Sequence, residues 1–322
     1  MMETIEIVEH FNPDQTLDIA GKIKSIKRLF LTGEGSSRIF PAKNAIRKAL
    51  TLGIDINILT EGSSQAMLYD LSKFAVFCAS NSGRTKEVIS LSKKLAEMRN
   101  SNLFALTANT GTILEKICNQ AFVLSCGPEK AVAATKSVIE QALFYESILW
   151  NMLNIKNPIH ISGLSNKVRQ CLAMPIEKNI IESAVRAPMI YFSGYNDGVA
   201  EELTLKTNEI TRKKSDYLEG TYAVHGIEEV LDEKDMVFLI DPVDEEIEKF
   251  QRVLVDGIGL RVVAISSKET PFTTIQIPDS GALNPYLFLC TGWNLLVEIG
   301  LAAGIDLDKP KRARKVGNEF IA

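Results

Sequence analysis

The stretch Phe74-Ala75-Val76-Phe77-Cys78-Ala79-Ser80-Asn81-Ser82-Gly83-Arg84-Thr85 decides how this chain is read. Six apolar residues in a row, closed by turn-forming ones, predict a strand buried on both faces. The next six residues bring three hydroxyls, a side-chain amide and a glycine to the start of a helix-patterned segment, residues 86–98. A helix N-terminus carries unpaired N–H groups and partial positive charge, so hydroxyls gathered there suit an anion. The pattern is a phosphate cradle without a P-loop.

Working outward, residues 29–32 read as a buried strand that ends in Gly33-Glu34-Gly35-Ser36-Ser37, followed by a helical pattern over Ile39–Thr51 and a strand-like run at 54–59. Beyond the cradle come a strand at Leu103–Thr107, a helix at 113–119 and a strand at 121–124. Strands alternating with helices predict parallel strands joined by crossover helices, a doubly wound α/β sheet. The second half repeats the plan. Residues 190–194 resemble the first strand and its glycine, Met236–Ile240 stands where residues 75–79 stood, and 260–265 echoes 102–106. The spacing also repeats, with 43 positions from Gly33 to Val76 and 43 from Gly194 to Val237. Two copies of one unit are expected, joined around residues 154–166. They differ after the strand: the second copy continues Asp241-Pro242-Val243-Asp244-Glu245-Glu246, which repels a phosphate, so one phosphate site per chain is expected.

With 322 residues, 46% of them hydrophobic and 24% charged, the chain has the composition of a globular protein of two domains or one large sheet. A net charge of −4 argues against broad nucleic-acid binding; the one basic run, residues 309–315, reads by itself as a solvated tail. The five cysteines show no C-x-x-C spacing and point to neither a disulfide framework nor a zinc site. No signal peptide is read at the N-terminus, and the apolar stretch 283–305 is broken by Asn284, Pro285, Asn294 and Glu298, which suits a buried helix rather than a membrane span. A cytoplasmic protein free of membrane and nucleic acid is the expectation. Gly33-Glu34-Gly35-Ser36-Ser37-Arg38 lacks the third glycine of a dinucleotide fingerprint, and no Walker sequence or metal-ligand cluster stands beside it, so neither cofactor nor metal is expected.

In their order and spacing these motifs resemble those of the sugar isomerase (SIS) domain family, in particular the isomerase half of glucosamine-6-phosphate synthases and the stand-alone glucosamine-6-phosphate deaminases built from two SIS units. The resemblance runs from about residue 29 to 315. Gly35-Ser36-Ser37 corresponds to the family's phosphate turn, and Ser80-Asn81-Ser82-Gly83-Arg84-Thr85 to its Ser-Gln-Ser-Gly-Glu-Thr loop. Glu129-Lys130-Ala131-Val132-Ala133-Ala134-Thr135-Lys136 is similar to a segment in which the backbone at Val132 would line the sugar. The catalytic pattern is matched by Lys206-Thr207-Asn208-Glu209-Ile210, by His225-Gly226 sixteen residues after the glutamate, and by Asp308 to Lys315 near the C-terminus. Asn81 and Arg84 replace the family's Gln and Glu, and no proline follows His225-Gly226; a chain without a glutaminase domain, active without glutamine, is the expectation.

The resemblance implies two tandem SIS units, each a mostly parallel doubly wound sheet flanked by helices. The first spans 1–155 with the phosphate loops, the second 170–305 with Glu209 and His225, and a tail, 306–322, carries Lys315. It implies a phosphosugar as ligand, held by Ser36, Ser37, Ser80, Asn81, Ser82, Thr85 and Val132. Glu209 would shuttle a proton between C1 and C2, because a carboxylate partly removed from water has its basicity raised. Lys206 would pair with Glu209 or with a sugar oxygen. His225 would open the sugar ring, since an imidazole can serve as acid and as base, and it would come from the partner subunit of a homodimer. Lys315 would act at the carbonyl, by Schiff base or by charge. Glucosamine 6-phosphate deamination is the expected reaction; a pure aldose–ketose isomerase, a fructosamine-phosphate deglycase and a non-catalytic sugar-phosphate sensor are the alternatives. Without the resemblance the same residues have plainer meanings: Lys206 and Glu209 a helix-surface ion pair, the serines ordinary helix caps, His225 a loop histidine with one hydrogen bond.

Overall fold

A computed structural model describes residues 1–155 and 163–321. The junction expected at 154–166 lies mostly outside the described residues. The chain divides into two compact units, one made of Glu6–Ile161 and Arg312–Ala322, the other of Met1–Ile5 and Ser162–Lys311. Residues 312–322 thus belong with the front unit.

Each unit is built on a five-stranded sheet with all its neighbours parallel. The front sheet has strands β1 (Arg28–Gly33), β2 (Asn57–Gly62), β3 (Ala75–Ala79), β4 (Leu103–Thr107) and β5 (Gln120–Val123), in the order β2-β1-β3-β4-β5. The rear sheet has β6 (Met189–Gly194), β7 (Lys214–Glu219), β8 (Met236–Ile240), β9 (Arg261–Ser266) and β10 (Thr273–Gln276), in the order β10-β9-β8-β6-β7. Counted from the β7 edge this is the front order again. In both sheets the winding reverses between the first and third strands, β1 and β3 in front and β6 and β8 behind. Crevices for ligands form outside the carboxyl ends of strands at such a reversal.

The central strands are legible because both their faces are covered: β3 and β8 are buried at every residue. Phe77 of β3 packs its ring against Phe104, Phe144 and Tyr145, with centroids 5.0, 5.8 and 5.6 Å away. Strand β2 starts at Asn57 rather than at residue 54, because Ile54 and Ile56 pack their side chains against the core before the chain pairs with Arg28. The edge strands β7, Lys-Ser-Asp-Tyr-Leu-Glu, and β10, Thr-Thr-Ile-Gln, have too few apolar residues to announce themselves.

The apolar helix Asn284–Ala302 is long and apolar enough to cross a membrane by composition, but it is the central helix of the rear unit, 78% buried over its most apolar window. It packs on helix Val199–Lys206, and Gly292 makes the close approach possible: a Cβ there would stand 2.3 Å from Cδ2 of Leu203. Gly292→Ala is therefore expected to destabilise the rear unit by about 1–3 kcal/mol in urea unfolding, as overpacked cores do, and Leu203→Ala in the same chain to recover part of the loss.

Candidate active site

The front cradle is assembled from the carboxyl ends of β1 and β3. After β1 the chain makes a 3-10 turn, Gly35–Ser37, that carries Ser36 and Ser37. Gly33 lets the two strand ends close up, since a Cβ there would lie 2.9 Å from the Ala79 carbonyl oxygen and 3.0 Å from that of Ser37. After β3 the serine loop folds on itself. The Ser80 and Thr85 hydroxyls stand 2.9 Å apart, Gly83 N–H donates to the Ser80 carbonyl at 2.9 Å, and Arg84 N–H donates to the Ser82 hydroxyl at 3.2 Å. Gly83 has φ of +63°, and a Cβ at this position would fall 2.4 Å from Cβ of Thr112. Only glycine meets both conditions.

Glu129 ties the loop to its surroundings. One carboxylate oxygen accepts from the backbone N–H groups of Thr135 and Lys136, at 2.9 and 3.0 Å, where helix Lys136–Met152 begins. The other accepts from the Ser137 hydroxyl and, at 3.2 Å, from the Asn81 amide. Lys315 Nζ stands 4.0 Å from the same oxygen. The Asn81 amide also donates to Ser137 at 3.0 Å, so its N–H groups point at protein, while its buried Oδ1 has no hydrogen-bond partner among the described residues.

The tail does not trail into solvent. It runs along the loop through an antiparallel bridge between Thr85 and Glu319, with Lys86 N–H donating to the Asn318 carbonyl at 3.0 Å and Phe320 N–H to that of Arg84 at 2.9 Å. Arg84 pairs with Glu319 at 3.3 Å, so a carboxylate offsets the added positive charge of that loop, and Lys93 caps the Phe320 ring at 4.3 Å. Loop and tail enclose a cleft of about 580 Å³, to which Asn81, Ser82, Arg84, Glu129, Lys315 and Phe320 contribute. Ser36, Ser37, Ser80, Thr85 and Val132 do not line it. Glu34, half-buried behind the first turn, accepts from Ser63 N–H at 2.8 Å; burial, reinforced by Glu87, raises its pKa above the ordinary carboxylate value.

In the rear unit the sequence places Glu202, Lys206 and Glu209 on successive turns. Helix Val199–Lys206 ends in a π-helical turn, Thr207–Thr211, a geometry that recurs at functional sites and that here carries Glu209. Lys206 is wholly buried and stands 3.1 Å from the Glu202 carboxylate and 2.8 Å from that of Glu209. Glu202 is wholly buried as well, whereas the Glu209 side chain is 21% exposed. Burial alone would lower the lysine's pKa, but the two carboxylates outweigh it and hold the ammonium above its ordinary value. Lys206 therefore addresses carboxylates. Close by, burial and the charges of Glu219, Asp197 and Glu201 push the half-buried Tyr217 hydroxyl well above a free phenol. His225 follows the turn Tyr222–Val224 and is exposed, its Nε2 3.5 Å from the Lys249 ammonium. Among the described residues no cluster suits a metal ion.

Two functional candidates escaped the sequence reading. Glu202 is legible in hindsight from the spacing Glu-x3-Lys-x2-Glu on one helix face; Glu129 lay in a quoted motif, but its hydrogen bonds to two separate segments, Asn81 and residues 135–137, were not legible. Lys206→Met would remove this cation from beside the wholly buried Glu202, and a loss of about 3–5 kcal/mol is expected in chemical denaturation. For Glu34 the raised folded pKa means that stability falls as pH rises through it. Glu34→Gln is thus expected to raise Tm at pH 7 and to lose that gain on acidification toward pH 4, as thermal melts would record.

No family model matches the chain. It is 26% identical over 298 residues to a glutamine–fructose-6-phosphate aminotransferase (isomerizing) of Clostridium perfringens, an alignment covering 85% of this chain and 48% of that protein. The chain spans about half the length of the curated relatives it matches. Its fold is shared with the C-terminal domain of glucosamine-fructose-6-phosphate aminotransferase from Francisella tularensis, with TM-score 0.77, 18% identity and coverage of 96% of this chain and 94% of that one. It is shared too with a glucosamine-6-phosphate deaminase from Thermotoga maritima, with TM-score 0.72, 17% identity and coverage of 98% and 99%.

Proposed function

From the premise that this chain belongs to the sugar isomerase (SIS) domain family, we propose that it is a phosphosugar deaminase, converting glucosamine 6-phosphate and water to fructose 6-phosphate and ammonia. The observation that carries the proposal is the Glu202, Lys206 and Glu209 cluster, in which Glu209 is paired with Lys206 and keeps 21% of its side chain exposed, within reach of a substrate.

In this reading the phosphate rests against the loop hydroxyls and backbone N–H groups between the ends of β1 and β3, with Ser36, Ser37, Ser80, Ser82 and Thr85 as donors and Asn81 and Val132 shaping the sugar pocket. His225 moves the proton from O1 to O5 that opens the ring. Glu209 takes the C2 proton of the open-chain amino aldose, the electron pair forms the C1–C2 double bond of an enolamine, and the proton returns to C1. The resulting C2 imine adds water and expels ammonia. Lys315, drawn into the cleft by Glu129, meets the developing charge at the carbonyl. His225 acts in the partner subunit of a homodimer; its exposure beside Tyr222, an aromatic 56% exposed, supports an interface there.

Ammonia release from glucosamine 6-phosphate, followed by a coupled assay, tests the reading. Glu209→Gln is expected to lower kcat by about 10²- to 10⁴-fold, the range for loss of a general base. Glucose 6-phosphate appearing from fructose 6-phosphate, with no ammonia released from the amino sugar, would make the chain an aldose–ketose isomerase; saturable sugar-phosphate binding without turnover would make it a sensor.

A further inference from the structure

The cleft between the serine loop and the tail extends beyond the groups that would hold the phosphate. At about 580 Å³ it falls in the range of sites that enclose a drug-sized ligand, yet Ser36, Ser37, Ser80 and Thr85 do not line it. Arg84 does. Among the described residues its guanidinium has one partner, the Glu319 carboxylate, which Nη1 meets at 3.3 Å. A contact through one nitrogen leaves most of a planar donor fork unused, and that fork matches a carboxylate at two points. Both side chains are exposed, by 63% and 49%, so water screens the pair and it is weakly held. The tail does not depend on it. Backbone bonds hold the strand in place, from Lys86 N–H to the Asn318 carbonyl at 3.0 Å and from Phe320 N–H to that of Arg84 at 2.9 Å. Glu129, the other carboxylate of the lining, is 6% exposed and already accepts from Thr135, Lys136, Ser137 and Asn81.

We propose that this cleft is a second subsite, for a carboxylate carried on the ligand's nitrogen, with Arg84 as the residue that selects it and Glu319 as the internal carboxylate it replaces. This rests on the reading of the chain as a phosphosugar deaminase, in which Lys315, also in the lining, stands at C2, the carbon that bears the nitrogen. A substituent on that nitrogen enters the cleft. Its carbon chain meets the apolar wall of Ile113, Val316 and Phe320, and its carboxylate meets Arg84. The ligand class is an amino sugar phosphate whose nitrogen belongs to an amino acid. Its turnover balances as ammonia release does: the C2 imine adds water, a proton passes to nitrogen, the C2–N bond breaks with its electron pair going to nitrogen, and the amino acid leaves in place of ammonia.

N-(Carboxymethyl)glucosamine 6-phosphate and N-ethylglucosamine 6-phosphate differ by a carboxylate exchanged for a methyl group, and calorimetric titration of each reads the subsite. The wild-type protein is expected to bind the first about tenfold more tightly, as a hydrogen-bonded charge pair allows. Arg84→Gln is expected to erase that preference and to keep the affinity for the N-ethyl ligand within about twofold. Glu319→Gln removes the internal competitor, so it is expected to strengthen binding of the carboxylate ligand by about two- to fivefold and to leave the other unchanged. A tail anchored by that ion pair would instead show weaker binding of both. Equal affinities in the wild type, an Arg84→Gln variant that weakens both ligands alike, or a Glu319→Gln variant that weakens the carboxylate ligand would overturn the inference. Glucosamine 6-phosphate is titrated alongside. If it and both derivatives fail to bind the folded protein, the underlying phosphosugar reading fails; if it binds and the carboxylate brings no gain, only the subsite falls.

Discussion

A single ammonium buried between two carboxylates is the constraint around which the rear unit is arranged. Lys206 has no exposed surface, and a lone buried ammonium at that depth would be untenable. Two carboxylates meet it, Glu202 one turn before the lysine and Glu209 just after it, both within 3.1 Å. The π-helical turn at Thr207–Thr211 carries the second carboxylate past the end of the α-helix. On the same helix, Leu203 packs closely where Gly292 leaves room for it.

The front unit presents a different arrangement, hydroxyls and backbone N–H groups gathered at its strand ends. Its donors lie where the winding of the sheet reverses, and the loop is rigid before any ligand arrives, because Ser80, Ser82, Gly83 and Thr85 are already bonded to one another or to loop backbone. Glu129 extends that rigidity to the first turn of helix Lys136–Met152 and to Lys315 in the tail. The two units share strand order and differ in their loops. After β8 stand Asp241 and Asp244, the latter paired with Lys268 at 2.6 Å, where β3 is followed by serines. Duplication of the scaffold left the two strand ends free to take different chemistry.

What the sequence disclosed followed from burial and spacing. Strands β3, β4 and β8 were readable because both faces are covered and their residues are uniformly apolar. The doubled spacing from glycine to central strand disclosed the repeat. Strand β7 was not readable: at a sheet edge Lys214, Asp216 and Glu219 meet water without cost, and alternation hides the strand. The hydroxyl-rich loop was legible as a turn between β3 and the next helix, but that the Asn81 amide turns to Glu129 and Ser137 was not, since those partners are 48 and 56 residues away. Nor was the Arg84 pairing with Glu319 across 235 residues, which turns a tail that looked solvated into a wall of the cleft. Glu202 was missed because Glu-x3-Lys is commonplace on exposed helices, and only the fold reveals that this one is enclosed.

The account centres on Glu209 as the group that carries a proton between neighbouring sugar carbons. Incubating the protein with fructose 6-phosphate in deuterium oxide and following the C1 protons by NMR tests this most directly. The prediction is that solvent deuterium enters one of the two C1 positions, and that exchange disappears when Glu209 is replaced by glutamine in a folded protein. Exchange that survives the replacement, or none in a protein that turns over phosphosugars, would contradict it.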